Sequence, residues 1–135
     1  MKAARRVLIC GDRNWTNGVF IAHVLSDVLF TQGIDVVIEG EARGADKLGA
    51  AAARQLHIPE DHILKFPADW KKYKLAAGPI RNRQQFNEGK PDLVLAFHND
   101  IANSKGTKDM VKVAMKAGVE THVYTEEGEV NVRVG

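Results

Sequence analysis

The sequence predicts an α/β fold: a single Rossmann-like, three-layer domain over residues 1–135, built on a mainly parallel sheet of about five strands. Three observations carry this. Short continuous apolar runs, Val7–Cys10, Val36–Ile38 and Leu93–Phe97, suit strands buried on both faces, as a parallel sheet requires. Segments of helical period alternate with those runs, which gives right-handed βαβ units. The chain has 135 residues with 44% hydrophobic and 27% charged, enough for one core and ordinary for a folded domain.

In order along the chain, Val7-Leu8-Ile9-Cys10 is the first strand, closed by Gly11-Asp12. Thr16 or Asn17 caps a helix whose apolar face is Ile21, Val24, Leu25, Val28 and Leu29, and Gly33 stops it. Val36-Val37-Ile38 is the second strand. Ala45 to Leu56 is an alanine-rich helix, ended by His57-Ile58-Pro59. Ile63–Phe66 is a short third strand. Pro67 to Pro79 reads as a long loop carrying Asp69, Trp70 and Tyr73, and Pro79 opens a helix to about Glu88. Leu93–Phe97 is the fourth strand, and Gly106-Thr107 opens a helix with Met110, Val111, Ala114 and Met115 on one face. Val119 to Tyr124 is the fifth strand. Val130, Val132 and Val134 alternate with polar residues, the pattern of a half-exposed edge strand.

Composition narrows the function. Lys plus Arg is 19 against 17 Asp plus Glu, a net charge of +2, which argues against a nucleic-acid-coating protein. The one cysteine, Cys10, forms neither a disulfide within the chain nor a zinc cluster. The five histidines lack the short paired spacing of metal sites, so no metal is expected. No apolar run approaches a membrane span and no signal-peptide core follows the basic start, so a cytoplasmic protein with no membrane partner is expected.

In a sheet of this kind ligands bind beyond the carboxyl ends of the strands. Four segments fall there. In Gly11-Asp12-Arg13-Asn14-Trp15, Gly11 permits a close approach, Arg13 suits a phosphate, and Trp15 stacks on a base or caps a core edge. In Gly40-Glu41-Ala42-Arg43-Gly44-Ala45-Asp46, Arg43 and Gly44 stand on a strand-to-helix turn. Asp46 there bonds a ribose hydroxyl or caps the helix. This turn lacks the GxGxxG spacing of a dinucleotide site, so no cofactor is assigned. Arg81 and Arg83 begin the next helix and point in different directions, so one of them reaches a site. Ser104, Gly106 and Thr107 open the last helix, where amide groups cradle a phosphate or Thr107 simply caps. His98 follows the fourth strand at the same edge. Trp70 covers either the edge of the core or the base of a ligand.

Gly-Asp-Arg-Asn-Trp at 11–15, Ala-Arg-Gly-Ala-Asp at 42–46, Pro-Ala-Asp-Trp at 67–70, Ala-Gly-Pro-Ile-Arg-Asn at 77–82, Gly-Lys-Pro-Asp-Leu-Val-Leu-Ala-Phe at 89–97 and Gly-Thr-Lys-Asp-Met at 106–110 together resemble the YspA-like family of the SLOG superfamily. That superfamily is related to the LOG phosphoribohydrolases and to DprA, and its YspA-like members occur in phages and bacteria. The resemblance implies a Rossmann-like fold and a nucleotide or nucleotide-derived ligand, bound for sensing. It places Gly11, Arg13, Arg43, Gly44, Asp46, Arg81, Gly106 and Thr107 against that ligand. The chain departs from the LOG pattern at two points: the double glycine before Gly106-Thr107 is absent, and the LOG catalytic glutamate falls at Met110. Cleavage of an N-glycosidic bond in a nucleoside monophosphate or ADP-ribose-like ligand is the enzymatic alternative, with Asp46 and Asp109 as candidate catalytic carboxylates. Single-stranded nucleic-acid binding is the third reading, disfavoured by the net charge. Related folds pair through helices, which makes a homo-oligomer an expectation of the resemblance alone.

Overall fold

Alternation along β1 (Arg5–Gly11) sends Val7 and Ile9 to one face of the sheet and Leu8 and Cys10 to the other, and both faces are buried. The computed structural model describes residues 3–132; Val134, the end of the expected tail strand, lies outside them, as do Met1 and Lys2. The chain continues through α1 (Gly18–Gln32), β2 (Ile34–Glu39), α2 (Ala45–Gln55), β3 (Ile63–Lys65), the single turn α3 (Trp70–Tyr73), α4 (Ala77–Gly89), β4 (Leu93–Phe97), α5 (Gly106–Lys116), β5 (Glu120–Thr125) and β6 (Gly128–Val130).

The sheet has six strands in the order β3-β2-β1-β4-β5-β6. The first five are parallel, and β6 closes the edge as an antiparallel hairpin on β5. The α/β class and the mainly parallel sheet are as the sequence predicts, with one edge strand more. Val132 lies beyond β6 and packs against the core instead of extending the strand.

One layer of helices, α1 and α2, covers Val7, Ile9, Val37, Leu93, Leu95 and Phe97. The small side chains of α2 let it lie close: a Cβ on Gly49 would sit 2.8 Å from Ile9 Cγ2. The other layer, α4 and α5, covers Leu8, Cys10, Ile38, Val94 and Ala96, with Met110, Val111 and Ala114 from α5 and Phe86 from α4. Asn17 caps α1 by accepting from the Phe20 amide. The segment read as a loop from Pro67 is shorter than expected. Asp69 caps α3 by accepting from the Lys72 amide, and α4 begins at Ala77, two residues before Pro79. Pro79 then sits in the first turn, where a missing N–H costs nothing. No helix among the described residues is long and apolar enough to cross a membrane.

The strand order reverses at β1. The chain winds outward through β2 and β3, then returns to place β4 on the other side. Parallel sheets open a crevice at such a switch point, beyond the carboxyl ends of the two adjoining strands. Here those ends are Gly11 of β1 and Phe97 of β4, which pair with each other.

Candidate functional site

Two turns are pressed together at that crevice. The Asp12 amide donates to the Phe97 carbonyl at 2.9 Å, and the Ala45 amide donates to the Asp12 carbonyl at 3.1 Å. The contact is so close that neither Gly11 nor Gly44 has room for a side chain. A Cβ on Gly11 would lie 2.7 Å from Ala45 Cβ, and one on Gly44, at φ +78°, would collide with the Asp12 and Arg13 backbone. The β1 turn and the start of α2 are therefore locked as one unit. Gly44 serves that packing and does not line the cavity beside it, which corrects its expected place against a ligand.

That cavity measures about 510 Å³ and opens at the carboxyl edge of the sheet. It gathers Gly11 and Arg13 from the β1 turn, Arg43 and Asp46 from the β2 turn, Trp70 from α3, Arg81 from α4, and Gly106 and Thr107 from α5. A second recess of about 450 Å³ shares Arg13, Arg43, Trp70 and Arg81 with it. Around Gly106 the space is open, with nothing within 4 Å of where a Cβ would stand.

Three guanidinium groups face this space. The carbon of the Arg13 guanidinium lies 5.3 Å from the centre of the Trp70 ring, a cation–π contact. Arg43 reaches Asn14 Oδ1 at 3.4 Å. Arg81 donates from Nη1 to the Gly40 carbonyl at 2.7 Å and from Nε to Asn82 Oδ1 at 3.2 Å. None of the three makes an ion pair among the described residues. Arg5, Arg6, Arg54 and Arg83 each do.

The carboxylates behave differently from one another. Asp109 is consumed: Arg83 donates to its two oxygens at 2.9 and 3.2 Å, and Asn82 Nδ2 donates at 3.0 Å. Partial burial opposes its ionisation, but the hydrogen bonds from Arg83 and Asn82 outweigh it and hold its pKa below the ordinary value. With its proton gone and both oxygens engaged, Asp109 ties α4 to α5 and is withdrawn as a catalytic candidate. Arg83 is thus taken up by α5, while Arg81 lines the cavity.

Asp46 is buried and accepts from the Ala42 amide at 3.3 Å, so it braces the preceding turn instead of capping its own helix. Burial pushes its pKa up to about 6, against the pull of Arg81, the Ala42 and Gly40 amides, and Arg13. Gly40 makes room for both groups, since a Cβ there would sit 2.5 Å from Arg81 Nη1 and 2.9 Å from Asp46 Oδ2. On the far wall His98 Nδ1 accepts from the Asp100 amide at 2.9 Å. A neutral ring then carries its proton on Nε2, which faces Asp12 Oδ2 at 3.9 Å.

The two tryptophans part company. Trp15 is 3% exposed, packs edge-on against Phe20 and Phe97, and donates its Nε1–H to the Asn17 carbonyl at 2.9 Å. Of the two roles open to Trp15, the core is the one it takes, not stacking on a ligand: the strand-end turn folds the ring back among Phe20 and Phe97, where its apolar area is worth more than on the surface. Trp70 is 45% exposed, belongs to neither core cluster, and stands on the cavity wall.

Asn82 and Gln85 line the cavity without having been singled out from the sequence. Asn82 stood in the quoted Arg-Asn motif. Gln85 follows Arg81 by four residues, so helical spacing already placed both on one face. Glu39, which ends β2, is fully buried outside the cavity. Its Oε1 accepts from the Glu41 amide at 2.6 Å and its Oε2 has no partner among the described residues. Burial and the Glu41 carboxylate push its pKa up to about 8.

A Rossmann-like sheet with an arginine-lined cavity at its switch point defines the class. Within it, the chain belongs to the YspA, cpYpsA-related SLOG family, whose model matches residues 5–73. It is 36% identical over 122 residues to the Gene 61 protein of Mycobacterium phage D29, a match covering 85% of this chain and 92% of that one. No solved structure matches the chain.

Proposed function

We propose that this protein binds a nucleotide or nucleotide-derived anion in the cavity at the carboxyl edge of the sheet. The observation that carries the reading is the pairing of the arginines. Arg13, Arg43 and Arg81 converge on one cavity without ion pairs among the described residues, while Arg5, Arg6, Arg54 and Arg83 all have carboxylate partners. Placing three like charges around one space costs stability unless an anion joins them, and charge-assisted bonds to phosphate are the strong ones. The half-exposed Trp70 ring beside Arg13 supplies a face on which a base stacks. Membership of the SLOG family supports a nucleotide-related ligand. In this reading Arg43 and Arg81 hold phosphate, Trp70 carries the base, and the open space over Gly106 admits the ligand against the backbone.

The test is a thermal-shift and calorimetric titration with nucleoside mono- and diphosphates, inorganic phosphate being the reference. Nucleotides are expected to raise the melting temperature more than phosphate does, with an affinity that falls as salt rises. No shift with any nucleotide refutes the reading. Release of free base during incubation would identify the ligand as a substrate for N-glycosidic cleavage, with Asp46 the remaining carboxylate candidate.

A further inference from the structure

Gln85, a residue of the cavity wall, carries a buried acceptor without a partner among the described residues, and its direction is set by a chain of hydrogen bonds starting at Asp109. The Asp109 carboxylate and the Gly106 carbonyl only accept, so Asn82 must turn its Nδ2 toward them, at 3.0 and 3.1 Å. Its Oδ1 is thereby presented to Arg81 Nε at 3.2 Å and to Gln85 at 3.5 Å. Gln85 must then offer Nε2 to that oxygen, because the flipped amide would set two acceptors against each other. Its Oε1 is left facing elsewhere. Gln85 is 2% exposed, lines the cavity, and its Oε1 has no partner. A buried acceptor left unpaired costs free energy, which a ligand donor would recover.

Resting on the reading of the cavity as a nucleotide site, we infer that Gln85 Oε1 accepts a hydrogen bond from a sugar hydroxyl, so that the protein selects ribonucleotides over deoxyribonucleotides. The sugar is favoured over the base by position. Gln85 lies one helical turn from Arg81 on the same face of α4, about 5–6 Å between Cβ atoms. A phosphate held by Arg81 therefore brings the adjoining sugar to Gln85, and the base lies beyond it. Asp46, buried on the other side of Arg81 across Gly40, offers a carboxyl oxygen to the second hydroxyl of a diol.

The experiment compares adenosine 5′-monophosphate with its 2′-deoxy and 3′-deoxy forms, and with the guanosine, cytidine and uridine monophosphates, on the wild-type chain and on Gln85→Met. Wild type is expected to bind at least one deoxy form about tenfold or more weakly, since a site built around a hydroxyl is left with an unpaired acceptor when it is missing. Gln85→Met should bring that ratio close to one, by losing affinity for the ribonucleotide while keeping it for the deoxy form. The variant removes the unpaired acceptor together with the long Nε2 contact to Asn82 Oδ1, an oxygen that Arg81 still satisfies, so its melting temperature without ligand should hold. Equal binding of ribo and deoxy forms by wild type overturns the inference, and so does a ratio that survives in Gln85→Met or follows the base instead of the sugar. Those outcomes leave the nucleotide reading standing. Failure of every nucleotide to bind overturns that reading and this inference with it.

Discussion

Arg81 and Arg83 lie two residues apart on α4, and the structure assigns them opposite fates. Replacing each with Met keeps most of the apolar stem and removes the charge. Arg81 spends its guanidinium on the Gly40 carbonyl and Asn82 Oδ1 and pairs with no carboxylate among the described residues. Losing these bonds to neutral acceptors costs about 1–2 kcal/mol of stability, and relief of repulsion from Arg13 and Arg43 is set against the lost attraction of Arg81 for the buried Asp46. Arg83 loses a two-point contact to Asp109, whose partner side chains are 49% and 28% exposed, worth about 0.5–1 kcal/mol. The two variants therefore melt within a few degrees of each other. Their ligand affinities should diverge: Arg81→Met loses a charge-assisted phosphate contact worth about 1.5–3 kcal/mol, roughly 10- to 200-fold, while Arg83→Met stays close to wild type. Calorimetric titration of both with one nucleotide at fixed salt reads the difference. Equal affinity in Arg81→Met and wild type refutes the phosphate role; an equal loss in both variants means that the net charge of the face, not Arg81, governs binding.

Three further outcomes are expected. Trp70→Ala should lower nucleotide affinity by about 1–3 kcal/mol, while thermal melts without ligand show less loss than the 3–5 kcal/mol of a core aromatic; a loss on the core scale would return Trp70 to packing. Gly44→Ala should destabilise by roughly 2–4 kcal/mol through positive φ and collision with Asp12, whereas Gly106→Ala, entering open space at a helix start, should leave the melt unchanged and weaken binding. Glu39→Gln should gain stability relative to wild type as pH rises. The native carboxyl keeps its proton up to about pH 8, while the unfolded chain releases it near 4.5. Wild type is therefore fully stable below pH 4.5 and loses stability as pH climbs to 8, by an amount on the order of 4–5 kcal/mol that the neutral amide avoids. Parallel pH profiles of denaturant unfolding check this, and coincident profiles would contradict it.

What the sequence made legible follows the physics of burial. Leu93–Phe97 is buried at every position, and such a run has one reading in an alternating α/β chain. The edge strand β6 spans Gly128–Val130 and so stops where the alternation of Val130, Val132 and Val134 begins, and the helical turn α3 spans only Trp70–Tyr73, too short for a period to register. Asp69 was the available signal for α3, a capping residue before Trp70. The sequence leaves Trp15 between two roles because its neighbours along the chain belong to a strand-end turn. Its neighbours in space, Phe20 and Phe97, come from α1 and β4. Gly44 stood in a glycine-rich turn, and only the approach of the β1 turn gives its reason. The arginines of the site were nameable, but the fact that matters about them, which are paired, depends on where Asp109, Glu60, Asp35 and Asp92 fall in three dimensions.

The near-neutral total charge hides a cavity whose protonation should respond to its ligand. Asp46 sits close to Arg81 and Arg13, yet burial prevails and its pKa stands at about 6. An anion entering beside it adds a like charge and weakens the pull of both guanidiniums, so the pKa must rise further on binding. A group whose pKa is higher in the complex takes up a proton when the pH lies between the two values, here from about pH 6 upward. Nucleotide binding is thus expected to consume a fraction of a proton near pH 6.5 and to weaken as pH rises beyond that. Titrations in buffers of different ionisation enthalpy measure the uptake directly. Asp46→Asn is the deciding variant, because the phosphate of a monophosphate also titrates at about pH 6 and contributes in both proteins. If the proton balance is unchanged in Asp46→Asn, Asp46 does not take up the proton and the anion does not sit beside it.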